Sequence, residues 1–363
     1  MVSISKWATY GKRFVDRYLI KGLSGMALGL FSTLLIGTII KQIGLFMSNV
    51  WFGQLLIQLG SLATVMTGVG IAVGVAHQLG ASKLVMYSSI LNGLVGAYGA
   101  QLVGGTIITE GGILLSGPGD PMGAFVAAVI GVEVGRLISG KTKLDILLTP
   151  AITIISGCFV AYKIGPSLAH FTTVLSGLIK IAVELQPFLM GIVVSVVMGI
   201  FLTLPISSAA IGVILDLSGI AGGAATAGCA AQMIGFAVMS YRENKVNGLV
   251  AQGLGTSMLQ MPNIIKNPKV WIPPILASAI TGPLTTVVFK LENIATGSGM
   301  GTSGLVGPLL MWQTMIEKET NNIILLIEII LICFILPGVL TWIFAEIMRK
   351  KNWIKENDLK LEL

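Results

Sequence analysis

The property that most constrains this chain is its repeated loss of charge over about twenty residues at a time. Residues 23–40, 121–139, 146–162, 187–204, 271–289 and 323–344 are apolar apart from a rare ionisable side chain. A helix needs roughly 20 such residues to cross the hydrocarbon of a bilayer. One stretch of this kind can be a buried core helix, but a series of them is not expected inside a soluble domain. Charged residues are 11% of the chain and hydrophobic ones 54%, against roughly 25% and 45–50% in soluble domains. Backbone polar groups cannot be left unpaired in hydrocarbon, which restricts the fold to helices or a closed barrel. The apolar runs are continuous and do not alternate at period two, so the sequence predicts an all-α polytopic membrane protein.

The placement of charge decides how the net +7 is read. Lys6, Lys12, Arg13, Arg17 and Lys21 precede the first apolar run, and Arg349, Lys350, Lys351, Lys355 and Lys360 follow the last. Basic flanks mark the cytoplasmic side. Both termini are therefore expected on the cytoplasmic side of the membrane, with an even number of crossings and no nucleic-acid partner. Residues 1–22 read as a basic cytoplasmic segment, 23–348 as one transmembrane domain and 349–363 as a charged cytoplasmic tail. Cys158, Cys229 and Cys333 lie far apart in apolar runs without C-x-x-C spacing. They read as small buried residues, with no metal or cofactor expected.

About ten spans are expected, near 23–40, 51–75, 84–103, 121–139, 144–163, 187–204, 219–240, 246–262, 270–289 and 323–346. The Gly- and Pro-interrupted stretches 205–218 and 296–316 read as re-entrant or broken helices, the devices with which transporters build binding sites. Residues 163–185 carry Lys163, His170, Lys180 and Glu184 among apolar positions and read as an interfacial amphipathic helix. It would join two halves, 23–162 and 187–346. Counting 163–185 and 296–316 as full spans gives twelve crossings and moves the Arg242/Lys245 loop inside. A short echo, Asn92-Gly93-Leu94-Val95 and Asn247-Gly248-Leu249-Val250, is compatible with an internal repeat or with coincidence.

No P-loop, Rossmann fingerprint, nucleophile elbow or zinc-protease motif occurs, so no catalytic residue is assigned. Polar residues within apolar segments are the functional candidates, because burying them is costly. Glu110 follows Thr106-Ile107-Ile108-Thr109 with no basic residue nearby, before the turn-rich Gly117-Pro118-Gly119-Asp120-Pro121. Such a carboxylate can enter a cavity and accept hydrogen bonds from solute hydroxyls, or belong to a solvated loop. His77 offers a hydrogen bond to a polar ligand or sits at a helix end. Asn92 and Asn247 can serve a ligand or bond between helices, and Ser303 lies in a Gly-rich stretch that is either site or flexible loop. Asp216 can line a pathway or cap a helix. Glu133 and Arg136, spaced i, i+3, are expected to neutralise each other. The pairs Gly25/Gly29, Gly70/Gly74 and Gly131/Gly135 mark close helix packing.

The polytopic layout, Ile108-Thr109-Glu110 between spans and the Gly-rich stretch near Met300 resemble the membrane (IIC) subunits of the bacterial sugar phosphotransferase system. The stand-alone, perfringolysin-regulator-like branch is the most similar, over roughly residues 10–348. The resemblance implies a homodimer carrying sugar by an elevator movement. It also implies that Glu110, with Thr109, contacts substrate as in a Gly-Ile-Thr-Glu-Pro motif. Here Ile107 replaces the first glycine of that motif and Gly111 the proline. Phosphorylation of a substrate would require separate IIA and IIB proteins. The sequence thus predicts a transporter for a small polar solute, with Glu110, Thr109, His77, Asn92, Asn247 and Ser303 as contacts. A ligand sensor that signals through a partner is the alternative, and a passive channel ranks last.

Overall fold

The computed structural model describes residues 11–109, 112–115, 117–316 and 322–361, with the backbone alone at residues 108, 109, 175 and 178. The chain forms two compact units. The first comprises residues up to Gly37 together with Gln58–His170, and the second Thr38–Ile57 together with residues from Phe171 onward.

Among the described residues six helices are long and apolar enough to cross a bilayer. They are α1 (Gly11–Phe46), α6 (Pro121–Ile138), α7 (Asp145–Val183), α10 (Gly219–Met239), α13 (Pro268–Val288) and α16 (Asn322–Lys350). A bent pair, α2 (Trp51–Val65) and α3 (Thr67–Gln78), meets at 51° and makes seven if counted as one span. The apolar helix α8 (Pro187–Thr203) is shorter. Large apolar side chains such as Ile146, Ile155, Phe159, Ile323, Ile327 and Ile347 are exposed along α7 and α16. Apolar surface of this extent is stable against lipid tails and unstable in water.

Several expected spans are interrupted. The stretch 84–103 is α4 (Lys83–Ala97), a break at Tyr98 and a short α5 (Gly99–Val103). The helix α11 (Tyr241–Val250) opens the stretch 246–262. That stretch then breaks at Thr256, whose backbone is extended, and continues through a 3-10 turn at Ser257–Gln260 into α12 (Met261–Lys266). Residues 163–185 are not a separate helix, because α7 runs through them without a break although it contains Pro150 and Pro166.

Small residues set the packing within the first unit. A Cβ on Gly25 or Gly29 of α1 would overlap the backbone of Gly74 or Gly70 of α3, and the reverse holds as well. The two G-x-x-x-G pairs therefore form one mutual contact, in which the two helix backbones touch. Gly68 of α3 meets Gly93 of α4 in the same way, and Gly96 of α4 meets Gly123 of α6. In the second unit Met190, Val194, Met198, Phe201, Cys229 and Met233 form a core between α8 and α10. Leu291, Met311, Leu325, Ile329 and Cys333 form another.

Candidate functional site

The segment after α5 is anchored at its roots. Strands β1 (Ile108–Thr109) and β2 (Gly112–Ile113) pair antiparallel, with Ile108 opposite Ile113 and Thr109 opposite Gly112. Glu110 and Gly111, which connect them in the chain, lie outside the described residues. Past β2, the Leu114 N–H donates to the Ile107 carbonyl at 2.8 Å. The buried Tyr98 hydroxyl reaches the carbonyls of Gly117 at 2.5 Å and Val65 at 3.2 Å. The Asp120 N–H donates to Ala97 O at 2.7 Å. Gly119, at φ +72°, lies so close to Ala97 that a side chain there would collide. Asp120 then caps α6, its Oδ1 accepting from the Met122 N–H at 3.0 Å, with Pro121 at the first helical position. Burial pushes the Asp120 carboxyl above the usual carboxylate range, against the opposing pull of the Met122 and Gly123 N–H groups.

The other candidates of this unit stand apart from the hairpin. Val65 O, next to the Tyr98 hydroxyl, precedes α3, and His77 is its last residue but one, so they are separated by about 15 Å of helix rise. His77 is exposed. Asn92 is fully buried on α4, where its Nδ2 donates to Thr153 O of α7 at 3.0 Å. The Cys158 Sγ lies 3.6 Å from its Oδ1, and a Cβ on Gly131 or Gly157 would strike its amide. Asn92 thus bonds between helices, one of the two roles open to it in the sequence. Glu133 pairs mainly with Arg17, whose Nε and Nη2 reach Oε1 at 2.8 and 2.6 Å. The expected i, i+3 partner Arg136 is at 3.4 Å. Sequence spacing did reveal Arg136, but Arg17 comes from a helix 116 positions away and only packing brings it in.

In the second unit the Gly-rich stretch is an ordered, broken helix. A short α14 (Ala295–Ser298) leads through Gly301, Gly304 and Leu305, all with φ between +52° and +62°, into α15 (Val306–Met315). Ser303 is buried at the turn, its N–H donating to Met300 O at 3.1 Å. The neighbouring Thr302 hydroxyl donates to Gly253 O at 2.6 Å. Asn293 secures the entry to this run. Its Nδ2 donates to Thr226 Oγ1 at 2.8 Å and Gly307 O at 3.0 Å, and its Oδ1 accepts from the Ile294 N–H. Asn247 is exposed on α11. The two copies of Asn-Gly-Leu-Val therefore occupy unlike environments, one buried and one exposed. Asp216 is exposed at φ +47° in the turn before α10.

Sequence reasoning missed the polar residues that organise this unit. Gln232 is wholly buried on α10. Its Oε1 accepts from the Trp271 indole at 3.0 Å and the Thr203 hydroxyl at 3.3 Å, while its Nε2 donates to Ser278 Oγ at 3.5 Å. Thr203 also pairs with Ser257 at 2.7 Å. A buried amide of this kind carries a signal in the sequence: an isolated Gln within an alanine- and glycine-rich span. Its partners come from two other helices, α8 and α13, and have no such signal. Among the described residues no group of three His, Cys, Asp or Glu side chains converges as a metal set.

No curated protein and no solved structure matches the chain. A family model described as "Phosphotransferase system, EIIC" matches residues 20–361. That match takes in the candidate spans apart from the first nine residues of α1, together with the hairpin, the broken helix and the folded tail. The chain belongs to the phosphotransferase-system EIIC family, the membrane transport component of that system.

Proposed function

We propose that this protein moves a small polar solute, a sugar or sugar-like metabolite, across a bacterial cytoplasmic membrane by alternating access of the elevator type. In this reading it works as a homodimer with both termini cytoplasmic, an even number of crossings, and separate IIA and IIB partners where the solute is phosphorylated. Beyond family membership, the observation that carries the reading is the broken helix from Asn293 to Leu305. Irregular backbone in a membrane protein is tolerated where it is enclosed by protein or lines a polar cavity, and transporters use it to build solute sites. Here Asn293, Ser298, Thr302 and Ser303 are buried around it. Ser303 is the proposed contact from this unit, and Thr109 and Glu110 are those from the anchored hairpin segment. His77 and Asn247, exposed in the structure, are proposed as further contacts. Asn92, whose amide also bonds to Thr153 O, is proposed as a further contact.

A thermal-shift screen of the purified protein against sugars and sugar acids, followed by uptake into proteoliposomes with any hit, tests this. Glu110→Gln is expected to weaken binding about tenfold or more while leaving the unfolding midpoint without solute unchanged. Equal affinity in the folded variant would remove Glu110 from the site. Saturable binding with no uptake into sealed vesicles would favour a sensor over a transporter.

A further inference from the structure

Two adjoining cavities lie where the last candidate span ends. One, of about 340 Å³, is almost wholly apolar and is lined by Val238, Met239, Tyr241, Leu249 and Trp342 with Arg242 and Arg349. The other, of about 600 Å³, is polar. It shares the same two arginines and adds Glu243 and residues of the tail after α16, among them Lys355, Glu356 and Lys360. An apolar groove opening beside a basic one has the polarity of an amphiphile with an anionic head.

The charges in the polar cavity are not equivalent. Arg349 is committed to the protein: its Nη2 donates to Met239 O and Glu243 Oε1, both at 2.9 Å, and its Nη1 lies 3.4 Å from Glu346. Arg242 is largely exposed, at 61%, and its ion pair among the described residues is with Glu346 at 3.1 Å. Lys355 and Lys360 form no ion pair among the described residues. The two arginines offset Glu243 and Glu346, so the tail lysines supply the surplus positive charge, against Glu356.

The tail is fixed in this position. Asn244 Nδ2 donates to Leu359 O at 2.8 Å and its Oδ1 accepts from the Leu361 N–H at 2.8 Å. Gln260 and Asn263 donate to the carbonyls of Leu359 and Lys360 at 3.1 and 2.9 Å. Ile354 and Leu359 are buried. Trp353 lies between Lys269 and Lys351, whose Nζ atoms are 5.5 and 5.4 Å from its ring. Paired aromatic and basic side chains at the end of a span are characteristic of the headgroup level of a bilayer.

We propose that this crevice binds an anionic phospholipid, with an acyl chain along the Trp342 groove and the headgroup phosphate against Arg242, Lys355 and Lys360. The apolar half selects a lipid over a soluble anion, and the fixed tail presents the lysines. The site does not depend on which solute is carried. Native mass spectrometry of the full-length protein in detergent, with phosphatidylglycerol or phosphatidylcholine added, tests it. Phosphatidylglycerol is expected to be retained about tenfold better. Arg242→Gln/Lys355→Gln/Lys360→Gln should abolish that preference, whereas Lys83→Gln, outside the crevice, should leave it intact. Excess inorganic phosphate should not displace the lipid. Equal retention of the two lipids, or an unchanged preference in the triple variant, would overturn the proposal. So would complete displacement by inorganic phosphate, which would identify a site for a free anion. Should the triple variant fail to fold, Lys355→Gln alone provides the same comparison, because that side chain is exposed.

Discussion

Asp120 shows how one side chain fixes the geometry of the candidate segment. It ends the hairpin loop, bonds to Ala97 through its N–H and caps α6 through its carboxylate. Replacing it with alanine is expected to cost about 1 kcal/mol of stability through the lost cap. Its titration adds a second expectation. A carboxyl whose pKa is higher in the fold than in the unfolded chain contributes stability that is fully present below the unfolded value and is lost as pH rises through the folded value. Burial raises Asp120 in this sense. Asp120→Asn keeps a capping oxygen and removes the titration. The wild-type unfolding midpoint should therefore fall relative to Asp120→Asn as pH rises from about 3 to about 6, measured by thermal unfolding in detergent. Parallel midpoints across that range would show that Asp120 is not buried as a charge. Gln232 and Asn293 act similarly within the second unit. Each is a single amide serving several partners, and replacing one leaves buried donors unpaired at about 1–3 kcal/mol apiece.

Glycine governs the behaviour of whole elements. The sequence shows Gly25/Gly29 and Gly70/Gly74 as separate pairs, and the fold joins them as one backbone contact between α1 and α3. Gly29→Val puts two methyl groups and a Cβ where Gly70 lies. It is expected to destabilise the first unit by about 1–3 kcal/mol or more, read as a lower thermal midpoint. An unchanged midpoint would mean the two helices do not meet there. At the broken helix, Gly301 and Gly304 answer a different need. Their φ values of +53° and +52° are easy for glycine and strained for other residues, so the helix can break inside a packed environment. The Gly-Ser-Gly-Met-Gly-Thr-Ser-Gly pattern was legible as a helix interruption. Its close packing, with Thr302 bonded to Gly253 and Gly301 against Cys229, was not. Flexible and tightly packed glycine runs share one composition and differ only in their neighbours.

At the scale of the whole molecule, the tail beyond α16 reads in sequence as a charged cytoplasmic extension, yet its main chain is gripped by four side-chain amides: Asn244, Gln260, Asn263 and Asn267. Asn244→Ala removes two of these bonds and is expected to speed amide exchange at Leu361 about tenfold by freeing the tail locally; an unchanged rate would mean the tail is held without it. The grip escapes sequence reading because Lys351–Lys360 looks polar and solvated, while Ile354 and Leu359, five residues apart, fit neither a helical nor a strand period. The sequence by itself determined the all-helical membrane class and the family. Apolar runs of membrane-spanning length are local properties, and a family signature is carried by the order of residues along the chain. It also marked the segments 104–120 and 296–316, because Gly, Pro and isolated polar residues break such runs wherever they occur. The tertiary structure alone decided that Arg17 pairs with Glu133, that Asn92 is enclosed between helices, and that Gln232 and the tail amides anchor the second unit. A hydrogen bond or ion pair requires two groups within about 3 Å, and in each of these cases the partners come from segments that only packing brings together.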